Sequence, residues 1–284
     1  MELFVTDLDG TLINKDRKVT QKSVEIINNL ISLGMNFTVA TARTPATAVE
    51  ILQDLKLKLP VALMNGVLIY DTKELKYIDI KDINTESTYK VLDIFEKYNK
   101  NPLVYGILEN HLWVYHKEFE HAYEYNFYKE RADKKLKTFV KVTDYKESVL
   151  KSNIINFVAF DEYEKIKSIA EEISKIDGIN VNYYRDVYED CYFLEAYSSE
   201  ASKANGIKYL SKYINYDKVI CFGDNVNDIP MFELADESYA TSNAADEIKK
   251  IAENSINKIG LTVSDKGLDI ISRYCSNGRE VVNL

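Results

Sequence analysis

Cysteine, proline and histidine are scarce in this chain of 284 residues, which has three, four and three of them. The cysteines, Cys191, Cys221 and Cys275, are scattered, odd in number and without the spacing of a metal site. They therefore predict reduced core thiols and not a disulfide framework. No linker rich in proline, glycine or serine, no low-complexity tract and no internal repeat divides the chain.

Two further features are missing: a long apolar run and an excess of positive charge. No stretch is long enough to span a bilayer, and the first residues begin a strand without the basic and apolar regions of a signal peptide. The net charge is −9, and Lys and Glu are interspersed. We therefore expect a cytoplasmic protein with neither a nucleic-acid nor a membrane partner, in which any anion site is locally positive.

The composition that is present, 46% apolar and 29% charged residues, is typical of a globular protein with a substantial core. Near-continuous apolar strands are predicted over 3–7, 36–40 and 60–64. Helices are predicted between them, one capped by Thr20 and one over 44–55 with Pro45 in its first turn. This β-α-β-α-β pattern predicts an α/β fold with a Rossmann-like parallel sheet, covered by helices on both faces.

The same alternation of helices and strands is predicted again towards the end of the chain, with helices over 202–214 and 228–234 and strands over 218–222 and 238–241. The residues between are richer in Tyr, Lys and Glu. They predict a helix over 86–98, a hairpin over 103–115 that turns at Glu109-Asn110, strands over 154–160 and 179–184, and a helix over 163–176. We therefore predict a core of residues 1–82 and 192–284, with an α/β domain of residues 83–191 inserted into it.

Polar residues follow three of the predicted core strands. Asp7 and Asp9 come after the first strand, Thr41 after the second, and Asp224 and Asp228 after the strand 218–222. In an open parallel sheet, ligands bind beyond the carboxyl ends of the strands. If these strands are neighbours, four carboxylates and a hydroxyl converge at one edge.

Four carboxylates in one crevice need a cation. With only oxygen ligands and no His or Cys nearby, Mg²⁺ is the first candidate, and it favours phosphate oxygens as further ligands. Lys203 begins the helix 202–214, where its ammonium group could reach a phosphate. The aspartates are therefore predicted to hold a metal and to attack what the metal holds.

These motifs resemble those of the haloacid dehalogenase superfamily. The matching stretches are Asp7-Leu8-Asp9-Gly10-Thr11, Thr41, Lys203 and Gly223-Asp224-Asn225-Val226-Asn227-Asp228. Met64-Asn65-Gly66 and the stretch 222–235 resemble the Cof-type hydrolases in particular. The resemblance spans essentially the whole chain and implies a phosphatase whose α/β cap is inserted between the second and third motifs.

The resemblance also implies a role for each matching position. Asp7 would be the nucleophile that forms an aspartyl-phosphate, and Asp9 would be the general acid and then the base. The residues implied to bind Mg²⁺ are Asp7, Asp224 and the Asp9 carbonyl, with Asp228 orienting them through water or Lys203. Those implied to hold the phosphoryl oxygens are Thr41, Lys203, Asn227 and the backbone N–H groups near Leu8 and Ala42.

The chain departs from the family pattern at four places. Ala42 and Ala204 stand where glycine is common, Ser242-Asn243-Ala244 replaces Gly-Asn-Ala, and Thr262-Val263-Ser264-Asp265 differs from the usual ending. None of these changes removes a predicted nucleophile, metal ligand or cation.

The predicted function is a Mg²⁺-dependent phosphatase for small phosphorylated metabolites, such as a sugar phosphate or a similar monoester. A phosphomutase or phosphotransferase on the same core is the alternative. A non-catalytic phosphate-binding or signalling module is a third reading. The expected partner is a small phosphate ester, and the protein is expected to be a monomer or a small homo-oligomer.

Overall fold

The structure, a computed structural model, describes residues 1–185, 190–252 and 254–255. The strands are β1 (Glu2–Thr6), β2 (Asn36–Val39), β3 (Val61–Leu63), β4 (Leu68–Asp71), β5 (Lys76–Ile80), β6 (Leu103–Leu108), β7 (His111–His116), β8 (Lys137–Lys141), β9 (Asn153–Asp161), β10 (Ile179–Arg185), β11 (Tyr192–Ser198), β12 (Lys218–Gly223), β13 (Glu237–Ala240) and β14 (Asn254–Ser255). The helices are α1 (Gln21–Ser32), α2 (Pro45–Leu52), α3 (Thr85–Lys97), α4 (Ala122–Lys129), α5 (Lys146–Lys151), α6 (Tyr163–Ile173), α7 (Lys203–Tyr209), α8 (Ile229–Leu234) and α9 (Asp246–Ile251).

The chain divides into two compact units: a core unit of Met1–Asp79 with Ser202–Leu284, and an inserted unit of Ile80–Ala201. The core unit has a five-stranded sheet in the order β14-β13-β12-β1-β2, and all of its pairs are parallel. The predicted α/β class and parallel sheet are confirmed. The order places β1 between β12 and β2, so the three strands that precede the polar clusters are neighbours.

Local sequence explains the elements that flank β1. Thr20 caps α1, because its side chain accepts a hydrogen bond from the Ser23 amide at 3.2 Å. Val24 and Ile27 on the same face of α1 are buried. Gly34, with φ +103°, follows the last turn, where a residue with a Cβ would be strained.

The third predicted core strand does not belong to the parallel sheet. β3 pairs antiparallel with β4 in a separate three-stranded sheet, β3-β4-β5. A parallel bridge between Ala40 and Ala62 joins it to the end of β2, and Thr38 Oγ1 of β2 donates to the Pro60 carbonyl at 2.6 Å. The apolar run 60–64 was predicted correctly as a strand, but its partner strand could not be deduced from it.

The inserted unit is a six-stranded sheet in the order β10-β11-β9-β6-β7-β8, antiparallel except for the β7–β8 pair. Its core includes Val91 and Phe95 from α3 and Ile166 from α6, packed with the sheet residues Phe157 and Leu194. The predicted hairpin turn is confirmed, because Glu109 and Asn110 have φ of +52° and +58°.

The predicted end of the insertion at residue 191 is wrong. β11, which we assigned to the core, lies between β10 and β9 and pairs with both. The inserted unit therefore begins three residues before the predicted start and extends to Ala201.

The remaining predictions from the sequence concern the cysteines, the stretch 262–265 and membrane-spanning segments. Cys191 and Cys221 are buried thiols, as predicted, whereas Cys275 and Thr262-Val263-Ser264-Asp265 lie outside the described residues. Within the described part of the chain, the helices are all too short or too polar to cross a bilayer.

Candidate active site

Asp7 follows β1, which lies between β12 and β2 in the parallel sheet. Its amide donates to the Phe222 carbonyl at 2.9 Å, which continues the β1–β12 ladder and places Asp7 beside the loop that begins at Gly223. Asp7 is only 4% exposed. Gly10 turns the chain with φ +74°, and a Cβ there would lie 2.1 Å from Asp224 Oδ2. Glycine is therefore needed both for the turn and for the close approach of the Asp224 loop.

Lys203, at the start of α7, joins the predicted nucleophile to the loop after β12. Its Nζ donates to Asp7 Oδ1 at 2.7 Å and to Asp228 Oδ1 at 2.5 Å, and all three side chains are buried. Asp228 Oδ2 accepts from the backbone amides of Asp224 and Asn225 at 2.8 and 3.0 Å. Asp228 thus uses both oxygens, one to contact Lys203 and the other to contact the loop that carries Asp224, and its role in orienting a metal stays a prediction.

Burial and charge shift the proton affinities of this cluster. Burial raises the pKa of Asp7 above its ordinary value, although the Lys203 ammonium acts in the opposite direction. Burial, followed by the charge of Asp228, raises the pKa of Asp224 to about 6. Burial alone would lower the pKa of Lys203, but the Asp7 and Asp228 carboxylates raise it, so the amine stays protonated. The site therefore keeps the buried Lys203 ammonium group, and its carboxylates favour the binding of a second cation.

The donor set fits a hard divalent ion. Asp7, Asp224 and Asp228 each offer a carboxylate oxygen, and these atoms lie within 4.8 Å of one another. Asp224 is held in place by Thr11 Oγ1, which donates to its Oδ1 at 3.0 Å, and by Asn243 Nδ2, which donates to its Oδ2 at 3.2 Å. An all-oxygen set of this kind suits Mg²⁺.

Asp9 lies at the edge of the cluster and is paired with Arg43. Arg43 Nε and Nη2 donate to the two Asp9 carboxylate oxygens, each at 2.6 Å. The side chains of Arg43 and Asp9 are 18% and 55% exposed. This bidentate pair occupies both oxygens of the Asp9 carboxylate. Asp9 must leave the pair before it can contact the leaving group of an ester.

Apart from Lys203, which begins α7, the predicted phosphate-binding residues lie on three loops of the core unit. Thr41 is buried, Leu8 is buried beside Asp7, and Ala42 is exposed after β2. Asn227 lies on the loop after β12, where its Nδ2 donates to Asn65 Oδ1 at 3.0 Å. Thr41 is linked to the same turn, because its carbonyl accepts from the Asn65 amide at 3.0 Å.

Four residues of the site were missed as functional positions in the sequence: Thr11, Arg43, Asn65 and Asn243. Thr11 stands within the motif that begins at Asp7, and Arg43 lies two residues after Thr41, so their closeness in sequence to these two residues was a usable signal. Asn243 was noted only as part of a departure from the family pattern, yet it also donates to the Gly10 carbonyl at 3.0 Å. Nothing local to Asn65 indicates its bond to a residue 162 positions away.

The sequence of the chain is similar to those of a known family of hydrolases. A family model described as haloacid dehalogenase-like hydrolase matches residues 4–260. The chain is 23% identical over 257 residues to the 5-amino-6-(5-phospho-D-ribitylamino)uracil phosphatase YitU of Bacillus subtilis, covering 89% of this chain and 91% of that protein. It is 24% identical over 283 residues to the phosphatase YwpJ of the same organism, covering 89% and 93%.

Solved structures share the fold over nearly the whole chain. A Thermotoga maritima protein, TM0651, superposes with a TM-score of 0.74 at 22% identity, covering 95% of this chain and 96% of that one. A sugar phosphatase of subclass IIB of the haloacid dehalogenase superfamily, BT4131, superposes with a TM-score of 0.72 at 19% identity, covering 97% and 99%. At these identities the likeness concerns the fold.

Proposed function

The chain is a phosphatase that belongs to the haloacid dehalogenase-like hydrolase family, and we propose that it hydrolyses small phosphate monoesters. The proposed reaction depends on Mg²⁺ and passes through an aspartyl-phosphate on Asp7. The observation that carries the proposal is the buried Asp7–Lys203–Asp228 network with Asp224 beside it. An acidic cluster with one buried ammonium group suits a reaction in which a carboxylate must approach a phosphate dianion.

In the first half-reaction, an Asp7 carboxylate oxygen attacks phosphorus and the bond to the leaving oxygen breaks. Lys203 keeps Asp7 Oδ1 fixed, which leaves Oδ2 to attack, and its charge reduces the repulsion between two anions. Mg²⁺, held by Asp7 and Asp224, would neutralise charge on the transferring phosphoryl group. Thr41 and Asn227, with the amides near Leu8 and Ala42, are proposed to bind the phosphoryl oxygens.

Asp9 is proposed to supply the proton that the leaving alkoxide needs. In the second half-reaction it takes a proton from water as that water attacks the aspartyl-phosphate, which releases inorganic phosphate and restores Asp7. In the structure Asp9 is paired with Arg43, and this pair must open before Asp9 can keep the proton that it takes from water and give it to the next leaving alkoxide. Arg43 keeps the Asp9 side chain near the site between turnovers.

We propose a small metabolite, such as a sugar phosphate or a similar monoester, as the substrate. Two of the similar proteins bear names that specify a ribitylaminouracil phosphate and sugar phosphates. We also propose that the inserted unit acts as a cap that selects the ester. A unit of this size, Ile80–Ala201, favours a small substrate over a protein.

The test uses the purified full chain with an aryl phosphate and Mg²⁺. We expect inorganic phosphate to be released, no activity in EDTA, and loss of at least about a thousandfold in Asp7→Asn, because the nucleophile is removed. Asp54→Asn, an exposed aspartate away from the network, is the matched control and should behave as the wild type. Full activity of Asp7→Asn would refute the nucleophile assignment.

Analysis of the reaction products distinguishes hydrolysis of the phosphate ester from transfer of its phosphoryl group to a second alcohol. With a phosphorylated metabolite and an excess of a second alcohol, we expect free phosphate and dephosphorylated metabolite. A new phosphate ester in place of free phosphate would instead support the phosphomutase or phosphotransferase alternative. Mg²⁺ binding is followed independently by calorimetry, so that metal dependence does not rest on activity alone.

A further inference from the structure

The turn Met64-Asn65-Gly66 has a strained backbone. Three consecutive residues have positive φ, at +50°, +55° and +87°. Glycine adopts this region freely and asparagine tolerates it, but methionine is disfavoured there because of its Cβ. Such strain persists only where the surroundings hold it, and it clusters at functional sites.

The surroundings that hold this turn are parts of the candidate active site. The Met64 amide donates to the Arg43 carbonyl at 3.1 Å, and the Asn65 amide donates to the Thr41 carbonyl at 3.0 Å. At Gly66, a Cβ would lie 2.1 Å from the Ser202 carbonyl oxygen, so the turn packs directly against the residue before Lys203. The turn therefore contacts both the loop after β2 and the start of α7.

The side chain of Asn65 reaches a third part of the site. Its Oδ1 accepts from Asn227 Nδ2 at 3.0 Å, and Asn65 is only 9% exposed. The other end of the Asn227 amide, Oδ1, is buried and makes no hydrogen bond with the described residues. A buried polar atom of this kind is costly unless something binds it.

We infer that Asn65 is a positioning residue that orients the Asn227 amide for the phosphoryl group, an inference that rests on the proposed function. An asparagine amide offers an acceptor at one end and a donor at the other. If the side-chain amides of Asn65 and Asn227 flip together, Asn65 Nδ2 donates to Asn227 Oδ1. Asn227 Nδ2 then takes the buried position that Oδ1 held before. That position then presents a donor, which suits a phosphoryl oxygen. Asn65 can support this state because its amide can also donate.

A double-mutant cycle on the full chain tests whether Asn65 acts through Asn227. The readout is the affinity for inorganic phosphate in the presence of Mg²⁺, measured by calorimetry. Asn65→Gly removes the side chain and preserves the left-handed backbone, and we expect about tenfold weaker binding. Asn227→Ala should lose a similar factor. The double variant should lose about tenfold and not a hundredfold, because both changes remove the same interaction.

Two further variants sharpen the test. Asn65→Asp keeps an acceptor but lacks the NH₂ donor, so it cannot support the flipped state of the Asn227 amide. Phosphate binding should therefore weaken at least as much as in Asn65→Gly. Leu75→Gly makes the same backbone change at another left-handed residue, with φ +52°, and should leave phosphate affinity unchanged.

The inference is overturned if Asn65→Gly or Asn65→Asp binds phosphate like the wild type, or if the losses in the cycle multiply. A chain that binds phosphate and hydrolyses esters, but shows either result, retains the proposed function and loses only the role of Asn65. A wild-type chain that neither binds phosphate nor hydrolyses esters contradicts both.

Discussion

Replacing Lys203 by methionine should destabilise the core unit strongly. The change keeps a long apolar stem but removes the ammonium group that donates to Asp7 and Asp228. Both carboxylates are buried, and the lysine side chain itself is 0% exposed. Removing one partner of a buried ion pair leaves uncompensated charge, which costs about 3–5 kcal/mol. With a urea dependence of about 3 kcal/mol per molar, the unfolding midpoint should fall by about 1–1.7 M.

The assay is urea unfolding in EDTA, because a bound divalent ion would replace the missing charge. Circular dichroism follows the whole chain, and fluorescence of Trp113, the only tryptophan, follows β7 in the inserted unit. The substitution should therefore move the circular dichroism transition, and the tryptophan signal serves as an internal reference. The matched control is Lys56→Met, a change at an exposed lysine outside the network.

The stability of the Lys203→Met variant should also depend on pH in a defined direction. A buried carboxyl whose pKa is raised on folding binds more protons in the folded state than in the unfolded state, so stability falls as pH rises through the folded pKa. Burial already raises the pKa of Asp7, and loss of Lys203 removes the effect that opposed it. The deficit relative to the wild type should be larger at pH 8 than at pH 5. A deficit below about 1 kcal/mol at pH 8, or one independent of pH, would refute the reasoning.

Three other predictions concern the remaining parts of the site. Arg43→Gln should lower kcat/KM for alkyl phosphates about tenfold more than for an aryl phosphate, whose leaving group needs no proton, because Arg43 holds Asp9; equal losses would contradict this. Gly10→Ala should weaken Mg²⁺ binding at least about tenfold in calorimetry, because its Cβ meets Asp224, whereas Gly178→Ala, with nothing within 4 Å, should leave metal affinity intact. Mg²⁺ affinity should fall as the pH is lowered through about 7 and then about 6, because protons compete for the carboxylates of Asp7 and Asp224, whose pKa values burial raises to about 7 and about 6; a flat titration from pH 8 to pH 5 would contradict this.

Local sequence patterns predicted the elements of the core, whereas the pairing of distant segments left no such pattern. Each of the predicted helices and strands of the core has a counterpart within a few residues, because apolar periodicity, the Thr20 cap and Gly34 act over single turns. Short or solvent-exposed elements were missed, including β5, β8 and the six-residue helix α5. In β5 the residues are half-buried or exposed, so no apolar run marks it.

The α/β class, the aspartates and threonine after buried strands and the lysine at the start of a helix followed from the amino-acid sequence alone, because strand periodicity and the order of the motifs are local properties. The three-dimensional fold was needed to show that β11 belongs to the inserted unit, that β3 pairs antiparallel with β4, and that Arg43 holds Asp9. It also decided that Asn65 bonds Asn227, 162 residues away. These choices depend on which surfaces meet when the chain closes on itself, and hydrogen bonds across such separations leave no periodic trace in the sequence.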